Sequence, residues 1–280
     1  MIAARSAVCV FWGAALCGAA TRVEAQDMAL APVRASGQTV TPVFEGWYRN
    51  PDGTFSISFG YFNRNASEVL EIPIGPTNNI SPGEANQGQP TTFQPRRHWG
   101  VFAVTVPADF GQKRVVWTLV VRGETFTIAG SLRPQWEIDA LHGEAGSGNT
   151  PPVIKFDASG PEGRGPRGIE GPTLRASTGR PLDLRVWASD DGATAPSITS
   201  DGRRDAPVNL RWFKHQGPGD VVFSEPAPRV DAGVATTAAT FSVPGEYVLR
   251  IRANDASGVD NAGHAQCCWT NGFVKVMVVK

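Results

Sequence analysis

An adjacent cysteine pair near the carboxyl end is the most reactive feature of the 280-residue sequence. Cys267 and Cys268 precede Trp269 directly, and His264 lies just before them. The pair can form a strained vicinal disulfide, bridge to another chain or stay free, because adjacent Cα atoms are closer than those of ordinary disulfides. A disulfide beside the Trp269 ring would make an apolar platform for a ligand. A turn with one buried thiol, or a purely structural disulfide, is the preferred interpretation. A soft-metal site with His264 lacks a fourth ligand.

A second cluster places two guanidinium groups among aromatic rings. Residues 93–99 read FQPRRHW, and such arginines suit carboxylates or phosphates while tryptophan suits sugar rings or cations. Trp47, Tyr48 and Trp136 are aromatic candidates to join this cluster in space. The plainer interpretation is a strand-edge loop whose arginines pair with carboxylates and whose tryptophan covers the core. The predicted ligand-binding residues, with the tryptophan beside the cysteines added, are Arg96, Arg97, Trp99, Trp47 and Trp269.

Three aspartates end or follow predicted strands in the second half of the chain. Asp190, Asp191 and Asp255 supply the hard oxygen ligands with which some β-sandwich modules bind Ca²⁺. Aspartate in such turns more often bonds to backbone N–H groups, and the spacing of EF-hand or cadherin-like sites is absent. We therefore expect no cofactor, with Ca²⁺ as the one candidate metal.

Charge and motif content argue against several classes of protein. The 26 basic and 26 acidic side chains cancel, which speaks against a nucleic-acid binder that works by phosphate neutralisation. The sequence has no G-x-S-x-G elbow, phosphate loop or H-E-x-x-H motif, and its four histidines are scattered. These features predict a protein that is not an enzyme. A hydrolase with an unrecognised site is the least favoured alternative.

The first 25 residues have the pattern of a secretory signal peptide. Arg5 supplies the charged start, and the apolar stretch over residues 7–20 is too short to span a bilayer as a helix. Residues 23–25 (VEA) favour cleavage before Gln26. A lipoprotein signal with Cys17 as the lipidated residue and a retained anchor are the alternatives. The pattern predicts export to the periplasm, the cell surface or the extracellular space, with no membrane span in the mature chain.

The elements that must position these residues are strands. Apolar and polar residues alternate in segments such as residues 54–62 (TFSISFGYF) and 114–121 (RVVWTLVV), and no sustained helical period follows the signal. The 31 glycines and 22 prolines indicate many turns. We expect an all-β protein with two immunoglobulin-like β-sandwich domains in tandem: residues 26–145, a Gly/Pro-rich linker over 146–172, and residues 173–280.

The second half also carries motifs of a known family. Residues 210–219 (LRWFKHQGPG) and 239–255 (ATFSVPGEYVLRIRAND) resemble the tryptophan strand, the GPG turn and the PGxYxLxxxAxD segment of PKD-like immunoglobulin-fold domains. Residues 181–192 resemble the family's early strand and Asp-rich turn. The resemblance implies an extracellular or periplasmic interaction module without catalysis. It gives Trp212 and Tyr247 structural roles, in agreement with the tyrosine corner of β-sandwiches.

Together these features predict an exported, non-catalytic binding or adhesion protein that recognises a glycan or another protein. The alternative is a structural subunit of an envelope assembly, joined through exposed strand edges or through Cys267 and Cys268.

Overall fold

The segments of alternating sequence form strands throughout the described part of the chain. The computed structural model describes residues 34–138, 149–192, 207–255 and 269–280, all within the packed unit Val33–Lys280. The predicted signal peptide and the cysteine pair lie outside these residues. Within them the helical structure is a single 3-10 turn, Pro134–Trp136. No helix in this part of the chain is long and apolar enough to cross a membrane.

Sandwich 1 consists of the first eight strands and has its own core. Its two main sheets have the orders β1-β2-β6 and β4-β7-β8, and β3 pairs with β5. Val115, Trp117 and Leu119 point into the core from β7, with exposures of 2 % or less, as the alternation predicts. The strands are β1 (Val40–Arg49), β2 (Phe55–Asn63), β3 (Leu70–Glu71), β4 (Asn78–Ser81), β5 (Thr92–Phe93), β6 (Arg96–Val106), β7 (Val115–Val121) and β8 (Glu124–Gly130).

Sandwich 2 has a separate core and the strand order of an immunoglobulin domain. One sheet has the order β14-β15-β12-β9; in the other, β13, β16 and β17 are neighbours, and β10 and β11 pair with β17 in parallel. Counting β9 and β12–β17 as seven strands, the order is first-second-fifth-fourth against third-sixth-seventh. The strands are β9 (Val153–Lys155), β10 (Ile169–Glu170), β11 (Leu174–Ser177), β12 (Leu182–Ser189), β13 (Val208–Gln216), β14 (Val221–Phe223), β15 (Val234–Phe241), β16 (Gly245–Asp255) and β17 (Trp269–Val279).

Tyr247 forms the corner that the sequence predicts. Its ring is 1 % exposed and lies 4.9 Å from that of Phe241, and its hydroxyl donates a 2.9 Å hydrogen bond to the carbonyl of Val243. Trp212 is buried in the same core. Both residues therefore take structural roles.

Sandwich 1 repeats the arrangement of sandwich 2, because its sheet β1-β2-β6 packs against its sheet β4-β7-β8. The two halves therefore share one immunoglobulin-like strand order.

The structure places two short strands within the predicted linker over residues 146–172. Val153–Lys155 pairs with β12, Ile169–Glu170 pairs with β17, and Ile154 is fully buried in the core of sandwich 2. Glycine and proline are found both in turns between short edge strands and in linkers, so composition alone does not separate the two. Sandwich 2 thus begins inside the predicted linker.

The two sandwiches meet at a junction built on a close approach to Gly100. This residue of β6 has φ +43°, and its carbonyl accepts hydrogen bonds from Asn271 Nδ2 at 2.7 Å and Trp269 Nε1 at 3.3 Å. A Cβ at position 100 would overlap the indole ring of Trp269. Asn271 and Trp269 are 0 % and 1 % exposed. Glycine is required here by both the backbone conformation and the space available.

Gly100→Ala is expected to destabilise the protein more than the matched variant Gly123→Ala. Gly123 has φ +81° and open space around it, so alanine there adds only the cost of a left-handed conformation, roughly 1–2 kcal/mol. At Gly100 the overlap with Trp269 adds an overpacking cost of about 1–3 kcal/mol. Urea unfolding of both variants measures the difference. Equal losses would show that the packing of Trp269 does not depend on Gly100.

Candidate functional site at the junction of the sandwiches

Arg97 forms an internal ion pair. Its Nη2 lies 2.7 and 2.8 Å from the two carboxylate oxygens of Glu45, and its Cζ lies 3.6 Å from the centroid of the Trp99 ring. Burial raises the pKa of Glu45, and the guanidinium of Arg97 opposes this rise. A buried carboxylate needs such a partner. These contacts agree with the plainer interpretation that Arg97 is paired inside the protein, and ligand binding by Arg97 and Trp99 stays a prediction.

Trp47 and Trp269 are buried and present no free ring face. Trp47 is 3 % exposed in the core of sandwich 1, and its Nε1 donates to the Arg133 carbonyl at 2.7 Å. Trp269 packs against Gly100 in the junction. Each lies on a strand face that is covered, and their role as ligand platforms stays a prediction. Trp136, by contrast, is 46 % exposed and packs against Phe44.

Arg96 differs from its neighbour, since it remains at the surface. It adopts φ +71°, a left-handed conformation that is uncommon for arginine, and its Cζ lies 5.2 Å from the centroid of the Phe62 ring. Its side chain is exposed at the start of β6. Of the two arginines in the predicted cluster, Arg96 is therefore the one available to a ligand.

The three predicted calcium ligands lie near one another at one end of sandwich 2. Asp191 accepts hydrogen bonds from the backbone N–H and hydroxyl of Thr150, and buried Asp255 accepts one from Asn149. Burial raises the pKa of Asp190, and the charges of Asp191 and Asp255 add to this. No group of three or more His, Cys, Asp or Glu among residues 34–138, 149–192, 207–255 and 269–280 could hold a metal ion. Ca²⁺ binding stays a prediction. Cys267 and Cys268 lie outside these residues.

The surface of sandwich 2 that faces the junction buries polar side chains that the sequence did not single out. Phe213 and His215 alternate with the core residues of β13, and their neighbours on β16 are Arg250 and Arg252; all four are at most 7 % exposed. Arg250 donates from Nη1 to Asn271 Oδ1 at 3.0 Å, and its Cζ lies 4.6 Å from the Phe213 ring centroid. Burial and then the charge of Arg252 lower the pKa of Arg250 to about 9, so it stays charged at neutral pH.

Two histidines are held neutral in the junction. His215 is 2 % exposed and its Nε2 donates to the Gly88 carbonyl at 2.7 Å; burial, and then the charge of Arg250, lower its pKa to about 3. His98 stacks on Tyr61 at 5.0 Å and meets the edge of Phe213 at 5.9 Å. Burial and then the nearby arginines lower its pKa to about 3 as well. Neither ring is prepared to gain a proton at neutral pH.

Two cavities open beside these residues. The junction cleft, of about 1100 Å³, lies between β6 with the loop before β5 and the segment around β10 with β17, and Thr105, Gln216 and Arg164 are among its lining residues. The cationic pocket, of about 440 Å³, lies between the start of β6 and the strands of sandwich 2. The two cavities share no lining residue. The charged residues that line the cationic pocket are Arg96, Arg97, Arg211, Lys214 and Arg252.

Comparisons with known proteins found weak structural likeness only. No family model and no curated protein sequence matches the chain. Domains 4 and 5 of the S-layer protein SbsC match at 11 % identity over 64 % of this chain and 71 % of theirs, with a TM-score of 0.27. The D00-D0 domain of intimin matches at 12 % identity over 86 % and 100 %, with a TM-score of 0.27. Fibronectin(III)-like modules of Clostridium thermocellum CbhA match at 10 % identity over 86 % and 94 %, with a TM-score of 0.23. These scores are too low to bear on function, and the fold assignment rests on strand order and the two cores.

The buried histidines predict a specific loss of stability in acid. Because the pKa of His215 is lowered in the folded state, only the unfolded chain takes up its proton between about pH 6.5 and the folded pKa. The contribution of neutral His215 to the free energy of unfolding is therefore fully present above about pH 6.5, and it is lost as the pH falls towards the folded pKa. His215→Gln is expected to reduce the slope of unfolding free energy against pH by up to about 1.4 kcal/mol per pH unit near pH 5. Urea unfolding from pH 7.5 to 4.5 measures it, and an unchanged slope would contradict a buried neutral His215.

Proposed function

We propose that the chain is an exported, non-catalytic binding module that holds a polysaccharide in the junction cleft. The observation that carries the proposal is the cleft itself, which lies between two sandwiches that are joined by hydrogen bonds. Export is supported by the pattern of residues 1–25. Binding without catalysis is supported by the chemistry of the cleft walls.

The cleft is supported as a binding site because its walls are fixed before any ligand arrives. Gln216 Nε2 donates to the Gln89 carbonyl at 2.6 Å, the Thr91 N–H donates to the His215 carbonyl at 2.8 Å, and Arg167 N–H donates to the Tyr48 hydroxyl at 2.5 Å. A preformed cavity spares the ligand the entropic cost of ordering its site. Cavities at domain boundaries are common ligand sites.

The cleft walls suit hydroxyl-rich chains. They present side-chain amides and hydroxyls together with exposed cations. Amides and hydroxyls donate hydrogen bonds to sugar hydroxyls and accept hydrogen bonds from them, and the cationic groups donate them. The polar lining residues that support this interpretation include Asn86, Gln87, Thr105, Arg164, Gln216 and Lys275.

The carboxylates of the cleft favour binding over hydrolysis. Glu162 forms a 2.9 Å ion pair with Lys155, whose hydrogen bond lowers the pKa of this exposed carboxyl. Glu170 forms a 3.3 Å ion pair with Lys275. Glycoside hydrolysis requires a carboxylic acid with a raised pKa opposite a second carboxylate. The paired state of these two side chains therefore supports a non-catalytic role.

A structural subunit is the second candidate, favoured by one exposed edge. Strand β14 ends its sheet in the described part of the chain, and Val222 on it is 68 % exposed. An uncovered edge with an apolar side chain can pair with another chain. Light scattering across protein concentrations separates the candidates, because self-assembly raises the mass without any polysaccharide.

Thr105→Trp is expected to weaken polysaccharide binding about tenfold or more, since the indole would fill part of the cleft that an exposed threonine of β6 now leaves open. Thr127→Trp, at an exposed threonine of β8 that does not line the cleft, is the matched control and should bind like wild type. Affinity electrophoresis through dextran, pullulan and polygalacturonate gels measures both. If the wild-type protein is folded and none of these polysaccharides retards it, the proposal is wrong.

A further inference from the structure

We propose that the cationic pocket is a second binding site, which takes an oxyanion substituent, carboxylate or sulfate, of an acidic polysaccharide. The inference rests on the proposed function and deepens it, because it names the class of polysaccharide. The pocket is separate from the junction cleft and is formed by residues of both sandwiches.

The concentration of positive charge in the pocket is the first support. The whole chain has 26 basic and 26 acidic residues, yet five cationic side chains and no carboxylate are found among the described residues that line this pocket. Two of the cations are neutralised: Arg97 by Glu45, and Lys214 by Glu71 at 2.9 Å. Arg252 is buried, at 7 % exposure, and the two exposed arginines, Arg96 and Arg211, form no ion pair within the part of the chain that the structure describes. Two guanidiniums from different sandwiches thus face one cavity.

Crowded guanidiniums around one ring are the second support. The Cζ atoms of Arg211, Arg250 and Arg252 lie 5.8, 4.6 and 5.7 Å from the centroid of the Phe213 ring. The ring's negative face attracts each cation, but the three like charges repel one another. An anion bound at exposed Arg211 would be attracted by the positive charge of this group. Arg211, Arg252 and Phe213 line the pocket; Arg250 does not, and it is buried with its hydrogen bond to Asn271.

The backbone at Arg96 is the third support. A left-handed conformation costs a non-glycine residue free energy, and such strain persists where the surrounding structure enforces it, often at binding sites. The φ of +71° at Arg96 occurs at the start of β6, where the side chain lines the pocket and lies over Phe62. The strain therefore coincides with the one exposed arginine that sandwich 1 contributes.

The size and donor set of the pocket indicate the ligand class. A volume of about 440 Å³ is within the usual range for small-ligand sites and accommodates one sugar residue with its substituent. Guanidinium forks match the oxygen pairs of carboxylates and sulfates, and half-buried Phe223 adds an apolar wall for a sugar ring. Carboxylate and sulfate offer the same chemistry to this pocket, so the experiment distinguishes them.

The test is affinity electrophoresis of the full mature chain at low and high salt. Its four probes are polygalacturonate, dextran sulfate, neutral dextran and polyglutamate. Wild type is expected to bind at least one acidic polysaccharide more tightly than dextran, and to lose affinity as salt rises. Arg211→Glu and Arg96→Glu should each weaken that binding about tenfold or more. Binding to polygalacturonate that these variants weaken identifies carboxylate as the ligand group, and binding to dextran sulfate that they weaken identifies sulfate.

The matched control is Arg185→Glu. Arg185 is an exposed strand arginine whose Cζ lies 5.9 Å from the Trp187 ring centroid, nearly as Arg211 lies over Phe213, but it does not line the pocket. It should bind like wild type. All the exchanged arginines are exposed, so thermal midpoints near that of wild type confirm that the variants fold.

The remaining outcomes overturn one proposal or the other. If Arg211→Glu binds acidic polysaccharide as well as Arg185→Glu does, the cationic pocket is not the site. If dextran binds as tightly as the acidic polymers and only Thr105→Trp weakens it, the inference falls and the proposed function stands. If polyglutamate binds and no polysaccharide does, both proposals fall and an acidic protein becomes the partner.

Discussion

The packing of Trp269 against Gly100 is the contact on which the junction depends. Because position 100 has no side chain, the indole reaches the backbone of sandwich 1, and its Nε1 and the Asn271 amide both bond to the same carbonyl. That approach brings β13, β16 and β17 close to the start of β6. The cationic pocket and the junction cleft are both lined in part by these elements.

The junction between the sandwiches buries polar and charged side chains. Several of its buried side chains are polar or charged: Glu45 with Arg97, Arg250 with Asn271, and two neutral histidines. Buried charges cost desolvation free energy that their partners offset only in part. Such a surface contributes less stability than an apolar one of equal area, but it fixes orientation through directional bonds.

Alternation in the sequence predicts the strands and the two cores well. Val115, Trp117 and Leu119 are buried as their period of two requires, and the Pro-Gly-x-Tyr corner places Tyr247 as expected. It does not predict the junction, since Arg250 and Arg252 occupy the alternate positions of β16 that an isolated sandwich would expose to solvent. A period-two pattern shows which face is apolar, and it cannot show that a second domain covers the other face. The pattern likewise does not show that Arg96 is exposed while its neighbour Arg97 is paired with buried Glu45.

The central claim is that the junction makes the two sandwiches one structural unit with preformed cavities. Differential scanning calorimetry of the chain at pH 7.5 tests it most directly, because coupled domains unfold together whereas independent domains unfold in sequence. The account predicts one transition with equal calorimetric and van't Hoff enthalpies. Two separable transitions, each with the enthalpy of a single sandwich, would contradict it.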